Sequence, residues 1–379
     1  MTGTNASGKI FDDLFVLELA NNHWGSLERG LKIIRDFSQV VRFNGVHASI
    51  KLQFRDVDSF VHRDFRHRTD IRYISKTLAT QLPWSSLEQM TKAVREGGMT
   101  TMVTPFDELS VDKCVEFGVE ILKIASSDIK DWFLIEKIAS TGKPVIASSG
   151  GSSLNDIDNL VKFFAKRNVP FALNHCVSMY PSEDHEIELN QIDFLRARYP
   201  GLTIGLSTHE YHDWSNSVMM AYAKGARTFE RHIDIDHEGV PVSSYCTLPE
   251  QADEWFKAFK KAREMCGGAP SEKRQPPEKE IQYLDALVRG VYAKGDLPAG
   301  HVLTEADVYL AVPLQNGQIS CREFMRGEVL KRPVSADQPI AFLSIESPYS
   351  ANSELGQMIA HRGLPSSASE ASLRLVKNT

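Results

Sequence analysis

Eight short β-rich runs alternate with amphipathic stretches across the first 265 residues, and this alternation restricts the fold more than any other feature of the sequence. Strand and helix repeated in this order form a parallel sheet, because each helix carries the chain back to the same edge. Eight such units in about 250 residues predict an α/β fold, a (β/α)8 TIM barrel. The alternative is a doubly wound open sheet, but no GxGxxG motif follows the first run. The runs comprise residues 14–19, 46–54, 99–105, 120–126, 144–149, 170–175, 202–207 and 226–233.

The composition changes after residue 266, where the predicted catalytic barrel (residues 1–266) ends. Residues 267–284 are rich in proline, glycine and charge, which is typical of a linker. Between residues 285 and 347, short apolar runs separated by turn pairs predict a small β-rich domain. Residues 348–379 are rich in serine, alanine and glutamate, and we expect a disordered tail there.

Charge and composition exclude several classes of protein. The 379-residue chain has a formal net charge of −6 and a sequence pI of about 6.1, which argues against a nucleic-acid-binding protein. No apolar run of about 18 residues predicts a transmembrane helix, and the polar N-terminus is unlike a signal peptide. The five cysteines are widely spaced without a CxxC motif, so we expect reduced thiols in a cytoplasmic enzyme.

Polar residues end each of the runs, at the rim where (β/α)8 barrels place their active sites. Alternate residues of a strand point the same way, so Lys51 and Gln53 share a face, as do Glu230 and His232. Taken singly, a lysine here is more often a surface residue, and a serine pair before glycine is more often a helix cap. Taken together, two lysines, several hydroxyls and glycine-flanked amides predict a cradle for phosphate and carboxylate groups. With Tyr180 just beyond the sixth run, the candidates are Glu18, Lys51, Gln53, Thr104, Lys123, Ser126, Ser148, Ser149, His175, Tyr180, Ser207, His209, Glu230 and His232.

Two histidines end the seventh and eighth runs, which are neighbours in a barrel. Imidazoles of His209 and His232, completed by water and substrate oxygens, suit an open divalent metal site. Glu18 and Glu230 are candidates to orient water or a ligand histidine from behind. A single core histidine is more often a hydrogen-bonding residue than a ligand, so the prediction depends on the pair.

Several strings match the motifs of one family in order and spacing. They are ELANNHWG at 18–25, IKLQF at 50–54, TPF at 104–106, KIAS at 123–126, SSG at 148–150, HC at 175–176, YP at 180–181, GLSTH at 205–209 and ERH at 230–232. In these strings the chain resembles the sialic acid synthase (N-acetylneuraminate synthase, NeuB-like) family. The turn from Gly295 to Gly300 is similar to one in the antifreeze-like (SAF) domain that follows the barrel in that family.

The resemblance implies a synthase that joins phosphoenolpyruvate to the aldehyde of an N-acetylmannosamine-like or related sugar, giving a nonulosonic-type sugar acid and phosphate. It implies Mn²⁺ on His209 and His232, with Mg²⁺, Co²⁺ or Zn²⁺ as alternatives, and a homodimer whose C-terminal domain covers the partner's active site. The catalytic residues so implied are Glu18, Lys51, Lys123 and Glu230. The substrate-binding residues so implied are Gln53, Thr104, Ser126, Ser148, Ser149, His175, Tyr180, Ser207 and Ser243.

Three positions depart from the family pattern, and all concern the sugar. Thr208 stands before His209 where an aspartate is usual, Ser243 replaces an acidic residue, and Val312 lies near the place of an arginine. We therefore expect the same reaction on a different aldose. The alternatives are a synthase that takes a phosphorylated aldose and a catalytically degenerate barrel that only binds a sugar.

Residues 60–72 carry four arginines and two histidines directly after the second strand. One interpretation is a solvated basic loop. The other is a lid that attracts an anionic substrate to the mouth of the barrel.

Overall fold

A computed structural model describes residues 10–237, 239–269, 271–324, 326–346 and 352–364. The chain folds as two compact units, and the boundary between them along the sequence lies between Gly267 and Gly268. The strands are β1 (Leu14–Ala20), β2 (Ala48–Phe54), β3 (Thr100–Pro105), β4 (Ile121–Ile124), β5 (Val145–Ser148), β6 (Phe171–Cys176), β7 (Thr203–Ser207), β8 (Thr228–His232), β9 (Gly290–Ala293), β10 (Val308–Ala311), β11 (Val329–Leu330) and β12 (Ile345–Glu346). The helices are α1 (Leu27–Asn44), α2 (Val57–Phe60), α3 (Arg72–Ala79), α4 (Trp84–Glu96), α5 (Glu108–Glu116), α6 (Trp132–Ser140), α7 (Leu154–Arg167), α8 (Asn190–Arg198), α9 (Asn216–Ala223), α10 (Pro249–Cys266), α11 (Glu278–Ala286) and α12 (Ser353–His361).

The first unit is a closed parallel barrel of β1 to β8 in sequence order, with β8 paired to β1. Closure separates the two faces of each strand. Phe15 of β1 points outward and packs edge-on against Trp255 and Phe256 of α10, whereas its neighbours Leu14 and Val16 point into the barrel. The prediction of a (β/α)8 barrel is confirmed.

Apolar side chains fill the lower half of the barrel interior. The cluster comprises Phe11, Leu14, Val16, Met102, Ile121, Ile146 and Ala172, all of them buried. Beyond this layer, towards the carboxyl ends of the strands, the inward positions become polar. The interior is therefore closed at one end, and the chemistry is confined to the other.

Local signals position the barrel helices. Ser153 starts α7 in a capping box with Asp156, in which each side chain accepts a hydrogen bond from the other residue's backbone N–H. The Ser26 side chain caps α1 by accepting a hydrogen bond from the backbone N–H of Arg29, and Gly45 ends that helix in the left-handed region. These caps set the points at which the loops of the mouth begin.

The second unit contains two small antiparallel sheets, β9 with β10 and β11 with β12, around an apolar core. Two helices of this unit were not predicted: α11 falls largely in the segment interpreted as a linker, and α12 in the segment expected to be disordered. α12 is ordered because Ile359 is buried in this core and Arg362 forms a buried bidentate ion pair with Glu323 at 2.6 and 2.7 Å. Residues 365–379 lie outside the described part of the chain.

Long apolar helices are missing from the described residues. None of the described helices combines the length and hydropathy that a membrane span requires.

Candidate active site

A cavity of about 540 Å³ opens at the carboxyl ends of the barrel strands. Each of the eight strands contributes at least one side chain to its wall. Of the residues predicted from the sequence, those that line it are Glu18, Lys51, Gln53, Thr104, Lys123, Ser126, Ser148, Tyr180, Ser207, His209, Glu230 and His232. The alternation rule thus brings most of the predicted residues to one place.

A buried network of two lysines and two glutamates forms the floor of the cavity. The ammonium of Lys51 lies against Glu18 and 2.8 Å from Oε1 of Glu230, and Lys123 reaches Oε2 of Glu230 at 2.5 Å. Burial raises the pKa of Glu230, but the two ammonium groups outweigh it and hold that pKa well below its usual range. Burial lowers the pKa of Lys51 to about 8, despite the attraction of Glu230, so Lys51 remains mainly protonated at neutral pH.

Hydroxyls and one backbone amide line the side of the cavity formed by β3, β4 and β5. The hydroxyl of Thr104 is buried and has no hydrogen-bond partner among the described residues. Ser126 accepts a hydrogen bond from the amide of Gly150 at 3.1 Å. A Cβ at Gly150 would lie 2.1 Å from the hydroxyl of Ser178 and 2.8 Å from that of Ser126, so only glycine fits there. A buried donor without a partner in a hydroxyl-rich wall is suited to an oxyanion.

His209 and His232 lie on the opposite side, with ring centroids 5.4 Å apart. Nδ1 of His209 is 2.9 Å from the carbonyl oxygen of Val177, which leaves its Nε2 towards the cavity. Burial lowers the pKa of His209 to about 4 and that of His232 well below 6.5, so both rings are neutral. The described residues contain no group of three or more histidine, cysteine or acidic side chains in metal-binding geometry. Two neutral imidazoles fit a divalent ion whose remaining ligands are water and substrate oxygens.

A second buried network, missed in the sequence analysis, lies behind the histidines. Arg231 donates to Oε1 of Glu210 at 2.5 Å, to the carbonyl oxygen of Glu210 at 2.7 Å and to the hydroxyl of Thr247 at 2.9 Å. Ser217 and Thr208 also donate to the Glu210 carboxylate. Thr208, noted above as a departure, therefore takes part in this network. Because Glu210 follows His209 and Arg231 precedes His232, the ion pair fixes both strand ends.

Three predicted substrate residues do not line the cavity. His175 points outward from β6 and its Nε2 lies 2.7 Å from the carbonyl oxygen of Ile187, because alternation turns Asn174 and Cys176 inward instead. Ser149 is also outside the wall, although its neighbour Ser148 belongs to it. Ser243 hydrogen-bonds Tyr245, which does line the cavity.

Loops supply wall residues that strand-end positions cannot indicate. The ring of Tyr245, from the loop after β8, lies 5.2 Å from that of His232 and 5.3 Å from that of Tyr180. Arg55, Tyr73 and Lys76 enter from the segment after β2. The only sequence feature that pointed to this segment as part of the cavity wall was its repeated aromatic and basic side chains.

The ion pairs of the basic segment 60–72 favour the first interpretation, a solvated loop. Arg66 pairs with Asp58 at 2.8 Å and Arg68 with Asp70 at 2.6 Å, and all four side chains are substantially exposed. None of these four residues lines the cavity.

Comparison with known proteins places this geometry in a family. The model of the NeuB family matches residues 42–269, more than half of the chain. The chain belongs to the NeuB family. The model of the SAF domain matches residues 288–346, so the barrel is followed by an SAF domain, and the predicted family and fold are confirmed.

Relatives of this NeuB-family chain include biosynthetic enzymes and solved structures. A protein from Chromobacterium violaceum, assigned as spore coat polysaccharide biosynthesis protein E, is 36% identical with a TM-score of 0.83, covering 88% of this chain and 99% of its own. The N-acetylneuraminic acid (sialic acid) synthetase of Leptospira borgpetersenii, solved with citrate, is 26% identical with a TM-score of 0.62, covering 72% and 91%. N-acetylneuraminate-9-phosphate synthase of Drosophila melanogaster is 25% identical over 89% of this chain and 98% of its own.

Proposed function

We propose that this chain condenses phosphoenolpyruvate with the aldehyde of a sugar, giving a nonulosonic-type 2-keto-3-deoxy sugar acid and inorganic phosphate. The observation that carries the proposal is one cavity with two complementary sides. Lysines and hydroxyls for an anionic substrate lie on one side, and two neutral imidazoles lie on the other. Family membership and the synthases among the relatives support this assignment.

Phosphoenolpyruvate is assigned to the lysine and hydroxyl side. Its carboxylate and phosphate require several cationic and hydrogen-bonding groups, which Lys51, Lys123, Thr104, Ser126 and Ser148 provide. The lysines are held in place by Glu230, which binds one with each carboxylate oxygen. In this proposal Glu230 therefore orders the lysines rather than a ligand histidine.

The acceptor sugar is assigned to the side of His209, His232, Tyr180 and Gln53. These two histidines are proposed as ligands of a divalent ion, with Mn²⁺ the first choice and Mg²⁺, Co²⁺ and Zn²⁺ as alternatives. When bound, such an ion supplies Lewis-acid polarisation of the acceptor's aldehyde oxygen. The protein's own contribution is to hold the aldehyde carbon close to the methylene carbon of phosphoenolpyruvate.

The reaction then balances as follows. The methylene carbon of phosphoenolpyruvate forms a carbon–carbon bond to the aldehyde carbon, whose oxygen becomes a hydroxyl. Water adds to the former enol carbon, and phosphate leaves with cleavage of the carbon–oxygen bond. Glu18, which lies against Lys51 and 3.2 Å from the amide nitrogen of Gln53, is proposed to position that water.

Assembly and location are the remaining parts of the proposal. A homodimer in which the SAF domain covers the partner's barrel is proposed from the family resemblance, with Val312 at the position of the usual arginine. The five cysteines are free, which supports a reducing compartment, the cytoplasm. A product destined for a surface polysaccharide is consistent with the Chromobacterium violaceum relative.

The test is phosphate release from phosphoenolpyruvate with Mn²⁺ and a panel of aldoses and N-acylated aminosugars. We expect release that requires one acceptor and falls about 100-fold or more in Lys123→Met, because that change removes a preorganised charge. Lys166→Met is the matched control, since Lys166 is exposed at the end of α7. Release that persists without an acceptor, or in Lys123→Met, would contradict the proposal.

A further inference from the structure

The cavity carries more positive than negative charge. Four cationic side chains line it: Lys51, Lys123, Arg55 and Lys76. The first two are neutralised by Glu18 and Glu230, as described above. Among the described residues, no carboxylate lies within 4.0 Å of Arg55 or Lys76. Two cationic groups are therefore available to a ligand.

Arg55 belongs to the side assigned to phosphoenolpyruvate. Its guanidinium lies 3.6 Å from the ring centroid of Phe106, directly after β3, and one nitrogen donates to Oε1 of Gln53 at 3.0 Å. Its Nε is buried without a hydrogen-bond partner among the described residues. The nearby acid Asp128 follows β4. Arg55 thus faces the wall that holds Thr104 and the serine hydroxyls.

Lys76 lies across the cavity from that wall. Its ammonium is 5.6 Å from the ring centroid of Trp24, in the loop after β1. Strands β1 and β8 are adjacent in the closed barrel and lie opposite β4 and β5. Asp234 does not neutralise Lys76, because it is buried in an ion pair with Arg29 at 2.7 Å.

One phenol, that of Tyr245, lies on this side, where it packs against His232. Tyr73, one turn before Lys76 on α3, instead hydrogen-bonds the guanidinium of Arg55, which lies 6.0 Å from its ring centroid. The Ser243 hydroxyl bonded to Tyr245 stands where the family pattern has an acidic residue. An ammonium with a phenol hydroxyl is an arrangement that binds phosphate or carboxylate oxygens.

We propose that Lys76, with Tyr245, binds an anionic substituent on the acceptor sugar, a phosphate or a carboxylate remote from the aldehyde. This inference rests on the proposed function and specifies its acceptor class. It assigns Lys76 to the acceptor and not to phosphoenolpyruvate, because the ammonium contacts Trp24 after β1, next to β8 and opposite the hydroxyl wall.

The experiment compares acceptors in pairs that differ only in charge: N-acetylmannosamine with its 6-phosphate, mannose with mannose 6-phosphate, and an aldohexose with its uronic acid. The measured quantity is the ratio of kcat/KM for the charged and neutral member of each pair. In Lys76→Met we expect this ratio to fall about 10- to 100-fold for phosphate or for carboxylate acceptors, since a charge-assisted contact is lost. The effect should appear in the KM of the sugar and not in the KM of phosphoenolpyruvate. Lys92→Met, an exposed lysine of α4, is the control and should leave the ratio unchanged.

The outcomes separate this inference from the proposed function. Turnover of neutral acceptors with a ratio unaffected by Lys76→Met would overturn the inference and leave the synthase intact. Absence of turnover with every acceptor would contradict the proposed function. In that case equilibrium binding of mannose 6-phosphate to the unmodified protein and to Lys76→Met still decides the anion site, because equal affinities would refute it.

Discussion

The buried ion pair between Glu210 and Arg231 offers a direct test of how the histidine strands are held. Both side chains are about 1% exposed. Arg231 donates hydrogen bonds to the Glu210 carboxylate, the Glu210 carbonyl oxygen and the Thr247 hydroxyl. The change Glu210→Gln preserves size and removes the charge. Arg231 is then buried without a counter-charge, in a place where water cannot replace the lost carboxylate.

The magnitude follows from the burial. Breaking a buried pair from one side typically costs about 3–5 kcal/mol, because it leaves an uncompensated charge. At about 2–4 °C per kcal/mol for a domain of this size, Glu210→Gln should lower the Tm by about 6–20 °C. Removing both charges in Glu210→Gln/Arg231→Met should restore much of this loss, since no buried charge then remains unpaired.

Thermal and urea unfolding of the single and double variants provide the assay. Glu88→Gln, on the exposed face of α4, is the control and should unfold like the unmodified protein. Because the pair joins the residues next to His209 and His232, Mn²⁺ should also bind more weakly to Glu210→Gln than to Glu88→Gln. A loss below about 1 kcal/mol in the single variant, or a double variant whose loss equals the sum of both single losses, would refute this reasoning.

Three further predictions concern packing, thiol reactivity and the metal. Gly205→Ala should destabilise the barrel by about 1–3 kcal/mol in urea unfolding, because its Cβ would lie 1.8 Å from a side-chain oxygen of Thr228. Gly268→Ala is the control and should be neutral, because a Cβ there meets open space. Equal stabilities of the two variants would contradict the interior packing. In native protein the exposed Cys266 should react readily with a maleimide, while Cys114 should react only after unfolding, because burial also raises its pKa; rapid labelling of Cys114, read by peptide mass spectrometry, would contradict its burial. Dialysis against a chelator should abolish phosphate release and added Mn²⁺ should restore it, whereas full activity after verified metal removal would refute the divalent site.

Much of the fold could be predicted because apolar runs and helical periodicity alternate regularly. The eight β-rich runs correspond to β1–β8, with boundaries that differ by up to two residues. α3 was missed because it directly continues the basic segment, whose charges obscured the start of a helix. α12 was missed for a different reason: the serine, alanine and glutamate of the surrounding segment obscured the buried contact of Ile359 and the ion pair of Arg362, which only the folded unit creates.

Most of the cavity wall could be predicted for an equally physical reason. In a parallel barrel every strand delivers its last inward side chain to the same mouth, so Lys51, Lys123 and Glu230 meet although they are far apart in sequence. His175 does not line the cavity, because strict alternation places Asn174 and Cys176 inside. The basic and aromatic residues after β2 indicated a contribution from that segment, but they did not single out Lys76, because its docking over the mouth is set by tertiary contacts and not by periodicity.

The proposed condensation requires that a carbon–carbon bond form between phosphoenolpyruvate and the acceptor, and this bond can be observed directly. The protein, Mn²⁺ and the acceptor selected from the panel are incubated with phosphoenolpyruvate carrying ¹³C in its methylene group, and the products are followed by NMR and mass spectrometry. We expect a sugar acid with the label bonded to the former aldehyde carbon, formed in equal amount with phosphate and lost in His232→Ala. Phosphate accompanied by labelled pyruvate alone would show hydrolysis and contradict the synthase.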